Sequence, residues 1–287
     1  MLNDVNFSAY VMPLHPIPTS VGRQGSLREP VQSILFDIYG TLLISDSGDI
    51  GMAGEKTPKQ DQLDNLLKKY GITMYATDVV SRLHQTIRAR HSELRGSGVD
   101  FPEVEIDRIW ETILPGLPYD KIRSFAIEFE LIVNPIYPMP HLRKTLRACS
   151  KSGVILGIIS NAQFYTPLLF EWFLQAGLRD MGFVPELTIF SFKEGRAKPS
   201  VALFERAAER LTIHGVKHAS VLYVGNDMLN DMLPAKQVGF ITALFAGDTR
   251  SLRTRDDDPR CQKLKPDIVI TDLLQLTEFI SAPHTSL

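Results

Sequence analysis

Short β-rich apolar runs alternate with helix-period segments along the second half of the chain, and this alternation restricts the fold more than any other feature of its 287 residues. The apolar runs have the length of single strands and are too short for helices. Strands that alternate with helices are typical of a parallel sheet with helices on both faces. We therefore predict an α/β fold with a doubly wound parallel sheet. The predicted strands are residues 154–159, 187–190, 221–224, 241–244 and 268–270.

An earlier run of this kind, residues 33–36, stops at the carboxylate of Asp37, and Gly40 and Thr41 follow shortly after it. A short continuous apolar run is typical of a strand that is buried on both faces. Open α/β sheets bind their ligands at the carboxyl ends of parallel strands. An acid held at that end is a candidate nucleophile. The residue two places further on, Tyr39, affects which reactions the Asp37 carboxylate can catalyse.

Polar residues also follow the other strong strands, at the ends that a parallel sheet brings to one edge. Each cluster alone has an ordinary explanation as a helix cap or a turn. Together, and in this order, they add hydroxyl and amide donors, one lysine and a second acidic pair to the first carboxylate. Such groups stabilise an anionic reacting group, with help from a hard cation. The residues concerned are Ser160, Asn161, Lys198, Asn226, Asp227 and Asp231.

The region between the first two strong strands lacks strand-like runs and repeats apolar residues at helical spacing. We predict an all-helical insertion at residues 45–135 and an α/β core made of residues 31–44 and 136–287. Residues 1–30 hold several prolines and glycines, which predict an extended arm. The predicted helices of the insertion are residues 62–70, 77–94, 104–114 and 119–132.

Charge and cysteine content narrow the range of partners. A net charge of −2 supplies no broad basic field, so we expect no nucleic-acid partner. No apolar run approaches the ~20 residues that span a bilayer, and the first thirty residues do not read as a secretory signal, so we expect no membrane partner and a cytoplasmic location. Cys149 and Cys261 form neither a metal pattern nor a disulfide framework. The oligomeric state is not readable from the sequence.

The strand-end clusters resemble the four core motifs of the haloacid dehalogenase-like hydrolase superfamily, and the resemblance extends over most of residues 31–275. It implies a Rossmann-like core with a cap domain inserted between the first two motifs, where residues 45–135 lie. It also implies that Asp37 is the nucleophile and forms a covalent aspartyl intermediate. By the same resemblance, the backbone carbonyl of Tyr39 is a magnesium ligand, and Thr41 supports the nucleophile loop.

The resemblance implies roles for the second and third clusters as well. Ser160 corresponds to the hydroxyl that binds the oxygens of the transferring group, with Asn161 beside it. Lys198 corresponds to the cation that neutralises the nucleophile and the phosphate. The implied substrate is therefore a small molecule that carries a phosphate.

The fourth cluster bears on the cofactor. Asn226 and Asp227 stand where the family has its metal-binding acids, and Asp231 corresponds to the acid that orients them. The implied cofactor is Mg²⁺. An amide oxygen at position 226 can still ligate Mg²⁺, although with less charge than a carboxylate.

Tyr39 departs from the pattern of the family's phosphatases, which carry a second aspartate two residues after the nucleophile. That aspartate protonates the leaving alkoxide and later activates water. General acid–base help of this kind is worth about 10²–10⁴-fold, or roughly 3–5 kcal/mol. Its loss matters for an alkoxide leaving group, less for an acyl or aryl phosphate, and hardly for a halide. The dehalogenase branch, which is metal-free, also has tyrosine at this position.

Three functions stay open at this point. The first is a Mg²⁺-dependent phosphohydrolase for a small phosphorylated metabolite with a good leaving group. The second is a 2-haloacid dehalogenase-type carbon–halogen hydrolase without a metal, which Tyr39 favours and Asp227 disfavours. The third is a protein of low turnover that binds a phosphorylated ligand or a partner on the same fold.

Overall fold

The computed structural model describes residues 5–46 and 60–280, and its centre is a six-stranded parallel sheet. The strand order is β5-β4-β1-β6-β7-β8, and each neighbouring pair is parallel. This topology confirms the predicted doubly wound α/β fold. The strands of the sheet are β1 (Ser33–Phe36), β4 (Ile155–Ser160), β5 (Phe183–Phe190), β6 (Val221–Gly225), β7 (Ile241–Phe245) and β8 (Ile268–Ile270).

The central strand, β1, is buried on both faces. Ile34 and Phe36 pack into one apolar cluster and Leu35 into another, and none of these side chains is exposed. Alternate side chains of a strand point to opposite faces, so both faces of the sheet are covered by core. Burying each such side chain contributes roughly 1.5–3 kcal/mol. The continuous apolar run in the sequence reflects this burial.

Helices connect the strands of the sheet, as the alternation of strand-like and helix-period segments predicts. The strand β5 is longer than predicted because its first half is amphipathic, with Pro185 and Glu186 exposed. After β6 the chain forms a π-helical turn, Met228–Met232, before a short helix. The helices of this region are α5 (Leu142–Lys151), α6 (Thr166–Leu174), α7 (Ser191–Glu194), α8 (Ala202–Ile213) and α9 (Leu233–Gln237).

A group of helices lies between two short strands, β2 (Leu43–Ser45) and β3 (Ile136–Pro138). These strands pair antiparallel, with Ser45 opposite Ile136, so the chain leaves and re-enters the core at one place. Aromatic side chains such as Trp110 fill the interior of the group. Its division from the core at residues 45 and 135 stays a prediction, and residues 47–59 lie outside the described residues. The helices are α1 (Gln60–Lys69), α2 (Ala76–Gly96), α3 (Ile106–Ile113) and α4 (Tyr119–Val133).

The described part of the N-terminal arm runs along the core without forming long elements. Gln24 pairs with Val269, and the two exchange backbone hydrogen bonds of 3.1 and 2.9 Å. This contact covers part of the outer edge of β8, which would otherwise present unpaired backbone groups. Nearer the start, the Tyr10 hydroxyl donates to Glu128 in α4 at 2.5 Å. No helix in the described residues has the length and apolarity that crossing a membrane requires.

Candidate active site

Asp37 directly follows the central strand, and the predicted polar residues of the neighbouring strands converge on it. Its backbone N–H donates to the Val224 carbonyl at 2.9 Å, which continues the pairing of β1 with β6. One carboxylate oxygen, Oδ1, accepts from the Ser160 hydroxyl at 2.8 Å and from the Lys198 ammonium at 2.6 Å. The residue as a whole is 6% exposed. These contacts join residues that lie more than 120 positions apart in the chain.

Lys198 lies between two carboxylates. Its ammonium donates to Asp37 and to Asp231, each at 2.6 Å, and its side chain is buried. Burial disfavours its charge, but the two carboxylates outweigh burial and raise the pKa of Lys198 above its ordinary value. The ammonium therefore stays charged beside the candidate nucleophile at neutral pH.

Asn161 holds the backbone of Lys198 and not its ammonium. The Asn161 amide oxygen accepts from the Lys198 N–H at 2.7 Å, and its Nδ2 donates to the Lys198 carbonyl at 3.4 Å. The sequence predicted contact of Asn161 with a substrate. In the structure its side chain fixes the loop that carries the lysine.

Asp231 is buried beneath the site and contacts three different groups. It accepts from Lys198, from the Tyr223 hydroxyl at 3.0 Å and from the Asp227 N–H at 2.9 Å. Burial raises the pKa of Asp231 to about 7, and the ammonium of Lys198 opposes this shift. A Cβ at Gly225 would lie 2.4 Å from the Asp231 carboxyl carbon, so only glycine lets the acid approach the strand end so closely.

Asn226 is packed against the loop that follows Asp37. Its amide oxygen accepts from the Thr41 hydroxyl at 3.1 Å, and its Nδ2 donates to the Ser251 carbonyl at 2.6 Å. Gly40 has a φ of +84°, and a Cβ there would lie 2.6 Å from that of Ser251. Thr41 and Gly40 thus hold the loop after Asp37 against Asn226. The role of Thr41 in catalysis stays a prediction.

The Asp227 carboxylate points to other partners than Asp37. It accepts from the N–H groups of Leu229 and Asn230, which caps the turn that follows β6. It also forms an ion pair with Arg255, 2.5 Å between Nη2 and Oδ2. A guanidinium therefore already neutralises this acid, and the role of Asp227 as a metal ligand stays a prediction.

The Tyr39 side chain is buried and turned toward α6. Its hydroxyl forms a 2.9 Å hydrogen bond with the Thr166 hydroxyl. Burial, followed by the charge of Glu130, raises the pKa of Tyr39 well above its ordinary value. A phenol in this position fills the core beside the nucleophile loop and does not contact the Asp37 carboxylate.

Four residues that contact the candidate site residues were not predicted from the sequence. They are Tyr223, Ser251, Arg255 and Thr166. Tyr223 belongs to β6 and reads as an ordinary strand residue, while Arg255 follows the last predicted site residue by more than twenty positions. Thr166 begins α6, where a threonine reads as a capping residue. Their partners lie in other strands and loops, and no local pattern marks such contacts.

The residues that the resemblance assigns to a cation offer oxygen donors of the kind that a hard cation prefers. They are the Asp37 carboxylate, the backbone carbonyl of Tyr39 and the amide oxygen of Asn226. Within residues 5–46 and 60–280, no group of three or more His, Cys, Asp or Glu side chains forms a metal cluster. Mg²⁺ commonly binds through one or two carboxylates and completes its shell with water and substrate phosphate. The donor set therefore fits Mg²⁺. It is poorly suited to a metal that is held mainly by thiolates or imidazoles.

Comparison with known proteins places this geometry in a family. A family model described as haloacid dehalogenase-like hydrolase matches residues 31–239. Glyceraldehyde 3-phosphate phosphatase of Methanocaldococcus jannaschii is 31% identical over 105 residues, which are 37% of this chain and 42% of that protein. The chain thus matches less than half the length of this curated relative.

Solved structures share the fold. A HAD phosphatase from Thermococcus onnurineus has a TM-score of 0.52 at 22% identity, covering 86% of this chain and 96% of that one. A 2-haloacid dehalogenase from Pseudomonas syringae pv. Tomato DC3000 has a TM-score of 0.54 at 20% identity, covering 87% and 97%. The family model spans every strand end that contributes a group to the Asp37 site. The chain belongs to the haloacid dehalogenase-like hydrolase family.

Proposed function

We propose that this hydrolase is a Mg²⁺-dependent phosphohydrolase that acts on a small phosphorylated metabolite through the carboxylate of Asp37. The observation that carries the proposal is the buried array in which Ser160 and Lys198 both bind Oδ1 of Asp37, while Asp231 holds Lys198 from behind. Such an array fixes a nucleophile and its counter-charge before the substrate arrives.

The second carboxylate oxygen of Asp37 is the attacking atom in this proposal. Within the described residues, the hydrogen bonds of Asp37 fall on Oδ1, so Oδ2 has no protein donor to compete with bond formation. Oδ2 attacks phosphorus, the bond from phosphorus to the leaving oxygen breaks, and an aspartyl phosphate forms. Water then hydrolyses the aspartyl phosphate and releases inorganic phosphate.

The charge of the site explains the need for a cation. When Asp231 is ionised, the carboxylates of Asp37 and Asp231 and the ammonium of Lys198 leave one net negative charge, which repels a phosphate. Because burial raises the pKa of Asp231 to about 7, this negative charge is complete only above about pH 7. Bound Mg²⁺ would supply the missing positive charge, and Asp37, the Tyr39 carbonyl and Asn226 would hold it. Lys198 and Ser160 then orient the carboxylate and donate hydrogen bonds toward the transferring group.

Tyr39 restricts which leaving groups the site can expel. Its hydroxyl is bound to Thr166 and its pKa is raised, so it does not protonate a leaving alkoxide. We therefore propose that the rate depends steeply on the pKa of the leaving group, and that acyl and aryl phosphates react faster than alkyl phosphates. A flat dependence across substituted aryl phosphates, with chemistry rate-limiting, contradicts this proposal.

The substrate class is supported by the curated relative, which is a phosphatase of a three-carbon phosphorylated sugar by its name. We infer a small phosphorylated metabolite for this chain and leave its carbon skeleton open. The net charge of −2 supports the absence of a nucleic-acid partner, and we propose a cytoplasmic location.

A carbon–halogen hydrolase is the second candidate, and the side chains of the fourth motif favour it. Asp227 is neutralised by Arg255, and Asn226 replaces a carboxylate with an amide. In this alternative, Asp37 displaces halide from carbon, forms an ester and is regenerated when water hydrolyses that ester. No cation is needed because the departing halide is stable in water.

One set of assays separates these functions. Phosphate release from acetyl phosphate and p-nitrophenyl phosphate, and halide release from 2-chloropropionate, are measured with Mg²⁺ and with EDTA. The variants are Asp37→Asn and, as a matched control, the exposed Asp61→Asn. The proposal expects phosphate release that EDTA and Asp37→Asn abolish and Asp61→Asn preserves. Halide release that resists EDTA supports the second candidate, and equal rates for the wild type and Asp37→Asn support a binding protein of low turnover.

A further inference from the structure

A cavity of about 740 Å³ lies outside the Asp37 site, along α5 and the end of α6. Its volume is within the range of small-molecule sites. None of its lining residues belongs to the Asp37 site, and none carries a carboxylate. Five of them carry cationic or titratable basic side chains: His141, Arg143, Lys144, Arg147 and Lys151.

Three of these cations share one face of α5. Lys144, Arg147 and Lys151 have i, i+3 and i+7 spacing, which places them in one row on a helix. With a rise of 1.5 Å per residue, the row extends over about 10 Å. The opposite face is buried through Leu142 and Leu146, so α5 keeps its cationic row toward the cavity. The length of the row is that of two or three linked phosphate groups.

The cations of this row lack partners within the protein. Among residues 5–46 and 60–280, Lys144, Arg147 and Lys151 form no ion pair and no side-chain hydrogen bond. Some surface cations are paired, such as Lys69 with Glu128 and Lys236 with Asp267, so it is the grouping of unpaired cations at one cavity that sets this row apart. Four formal positive charges, with Arg143, therefore gather at one cavity of a chain whose net charge is −2.

Helix stability does not explain the row. The helix dipole favours cations in the last turn, so Lys151 has an ordinary structural reason to be where it is. Lys144 lies in the first turn, where the dipole is positive; this turn contains no acidic residue, and the carboxylate at this helix end, Asp272, binds the N-cap residue His141 and not Lys144. A cation there costs about 0.3–1 kcal/mol in an exposed helix. A residue that costs stability and lacks a partner points to a ligand outside the chain.

An aromatic wall completes the cavity. Tyr137 of β3 and Phe173 of α6 meet edge to face, with ring centroids 5.9 Å apart, and both line the cavity. Such a wall offers a surface for a planar or apolar group next to the cations.

We propose that this cavity binds a small molecule with two or more phosphate groups and a planar part, of the size of a nucleoside diphosphate. The phosphates lie on Lys144, Arg147 and Lys151, and the planar part lies on Tyr137 and Phe173. The site is separate from Asp37, so the proposal stands whether the enzyme hydrolyses a phosphate or a halide.

Calorimetric titration of the full chain with ADP, in buffer that contains EDTA, tests the proposal. The variant Lys144→Ala/Arg147→Ala/Lys151→Ala removes three charges from the cavity. The control Lys217→Ala/Lys263→Ala/Lys265→Ala removes three exposed lysines elsewhere and changes the net charge equally. We expect saturable binding by the wild type and the control, and affinity weaker by about tenfold or more in the cavity variant. Equal affinity in all three chains, or no binding to the wild type at 1 mM, overturns the proposal.

Further titrations test which parts of the ligand the cavity recognises. Adenosine supplies only the planar part of the proposed ligand, and tripolyphosphate supplies only the phosphates. Each should therefore bind more weakly than ADP. Tighter binding of hexaglutamate than of ADP overturns the small-molecule proposal in favour of an acidic peptide. Lys144→Gln separates a binding role of this lysine from a structural one. A binding role predicts weaker ADP binding and a melting temperature that stays equal or rises. A lysine with only a structural role would lower the melting temperature and leave ADP binding unchanged.

Discussion

At the scale of single residues, the structure gives the hydroxyl of Tyr39 a contact with the core and no hydrogen bond to the Asp37 carboxylate. It lies on Thr166, whose hydroxyl also accepts weakly from the Gln163 N–H at 3.3 Å. We expect Tyr39→Phe to lower the free energy of unfolding by about 0.5–1.5 kcal/mol, the net value of one hydrogen bond. The kcat for p-nitrophenyl phosphate should stay within about threefold of wild type. Denaturant titration and steady-state kinetics measure both quantities.

A large loss of rate in Tyr39→Phe would contradict this prediction. A loss of about 10²–10⁴-fold in kcat with unchanged stability is what removal of a general acid produces. That result would show that Tyr39 takes part in the chemical step. Phe170→Leu, a change on the same helix α6 without a hydroxyl, controls for loss of packing alone.

Glu130 predicts a dependence of stability on pH. It is buried in α4, accepts from Asn134 at 2.9 Å and lies near Tyr39 and Tyr165, and burial raises its pKa to about 7. Because the folded pKa lies above the unfolded value near 4.5, this group favours folding most below about pH 4.5, and that contribution is lost as pH rises through about 7. We expect the unfolding free energy of Glu130→Gln, relative to wild type, to rise by about 2–3 kcal/mol between pH 5 and pH 8.

Denaturant titrations at several pH values measure this difference. Glu111→Gln on α3 serves as the control, because Glu111 is exposed and pairs with Arg108 at the surface. A difference between Glu130→Gln and wild type that does not change with pH would show that Glu130 is ionised in the folded protein throughout this range.

At the scale of elements, the segment between α2 and α3 is bound to the loops that carry the candidate catalytic residues. Phe101 accepts from the Ala197 N–H at 2.7 Å, one residue before Lys198. Gln163, in the loop after Ser160, donates to the Val104 carbonyl and accepts from the Ile106 N–H, both at 2.9 Å. The helical region therefore does more than cover the site, because it fixes the loops on which the site is built.

This contact predicts a combined effect on stability and rate. Gln163→Ala leaves two backbone groups without their partner, and each buried unpaired group costs about 1–3 kcal/mol. We expect a loss of about 2 kcal/mol in stability, faster amide exchange at residues 104 and 106, and a kcat reduced about tenfold with a smaller change in KM. Hydrogen exchange and kinetics of the phosphatase reaction measure these effects. The exposed Gln85→Ala on α2 is the matched control, and equal behaviour of the two variants would contradict the prediction.

The sequence predicted whole elements better than it predicted contacts between them. The end of β1 at Asp37 was readable because burial on both faces leaves an unbroken apolar run. The convergence of Lys198 and Asp231 at one edge of the sheet followed from topology, since both follow the carboxyl ends of parallel strands. The pairing of Asp227 with Arg255 did not, because that arginine lies on an irregular loop with a positive φ of 56°. A loop of this kind has no hydrophobic period from which its path can be predicted.

At the scale of the whole molecule, the two cysteines report on global unfolding. Cys149 is fully buried and Cys261 is 5% exposed, and both are free thiols. Burial raises the pKa of Cys149 to about 12, and it also raises that of Cys261. Since thiolates are the reactive species, native protein should react slowly with Ellman's reagent, whereas denatured protein should titrate two thiols per chain.

Labelling with and without denaturant measures this difference. The variant Cys149→Ser assigns the slower class of thiol. Rapid native labelling of position 149 would show that α5 opens from the sheet without global unfolding.

The position of β1 in the middle of the sheet has a consequence during synthesis. This strand ends at residue 36, whereas its two neighbours begin at residues 155 and 221. At roughly 5–20 residues per second, the first neighbour leaves the ribosome roughly 6–24 s later. Throughout that interval this buried apolar strand lacks the two neighbours that pair with its edges, which is the state in which nascent chains aggregate or recruit chaperones. Slow codons between positions 36 and 155 should therefore lower the soluble yield, whereas slow codons after position 225 should have little effect.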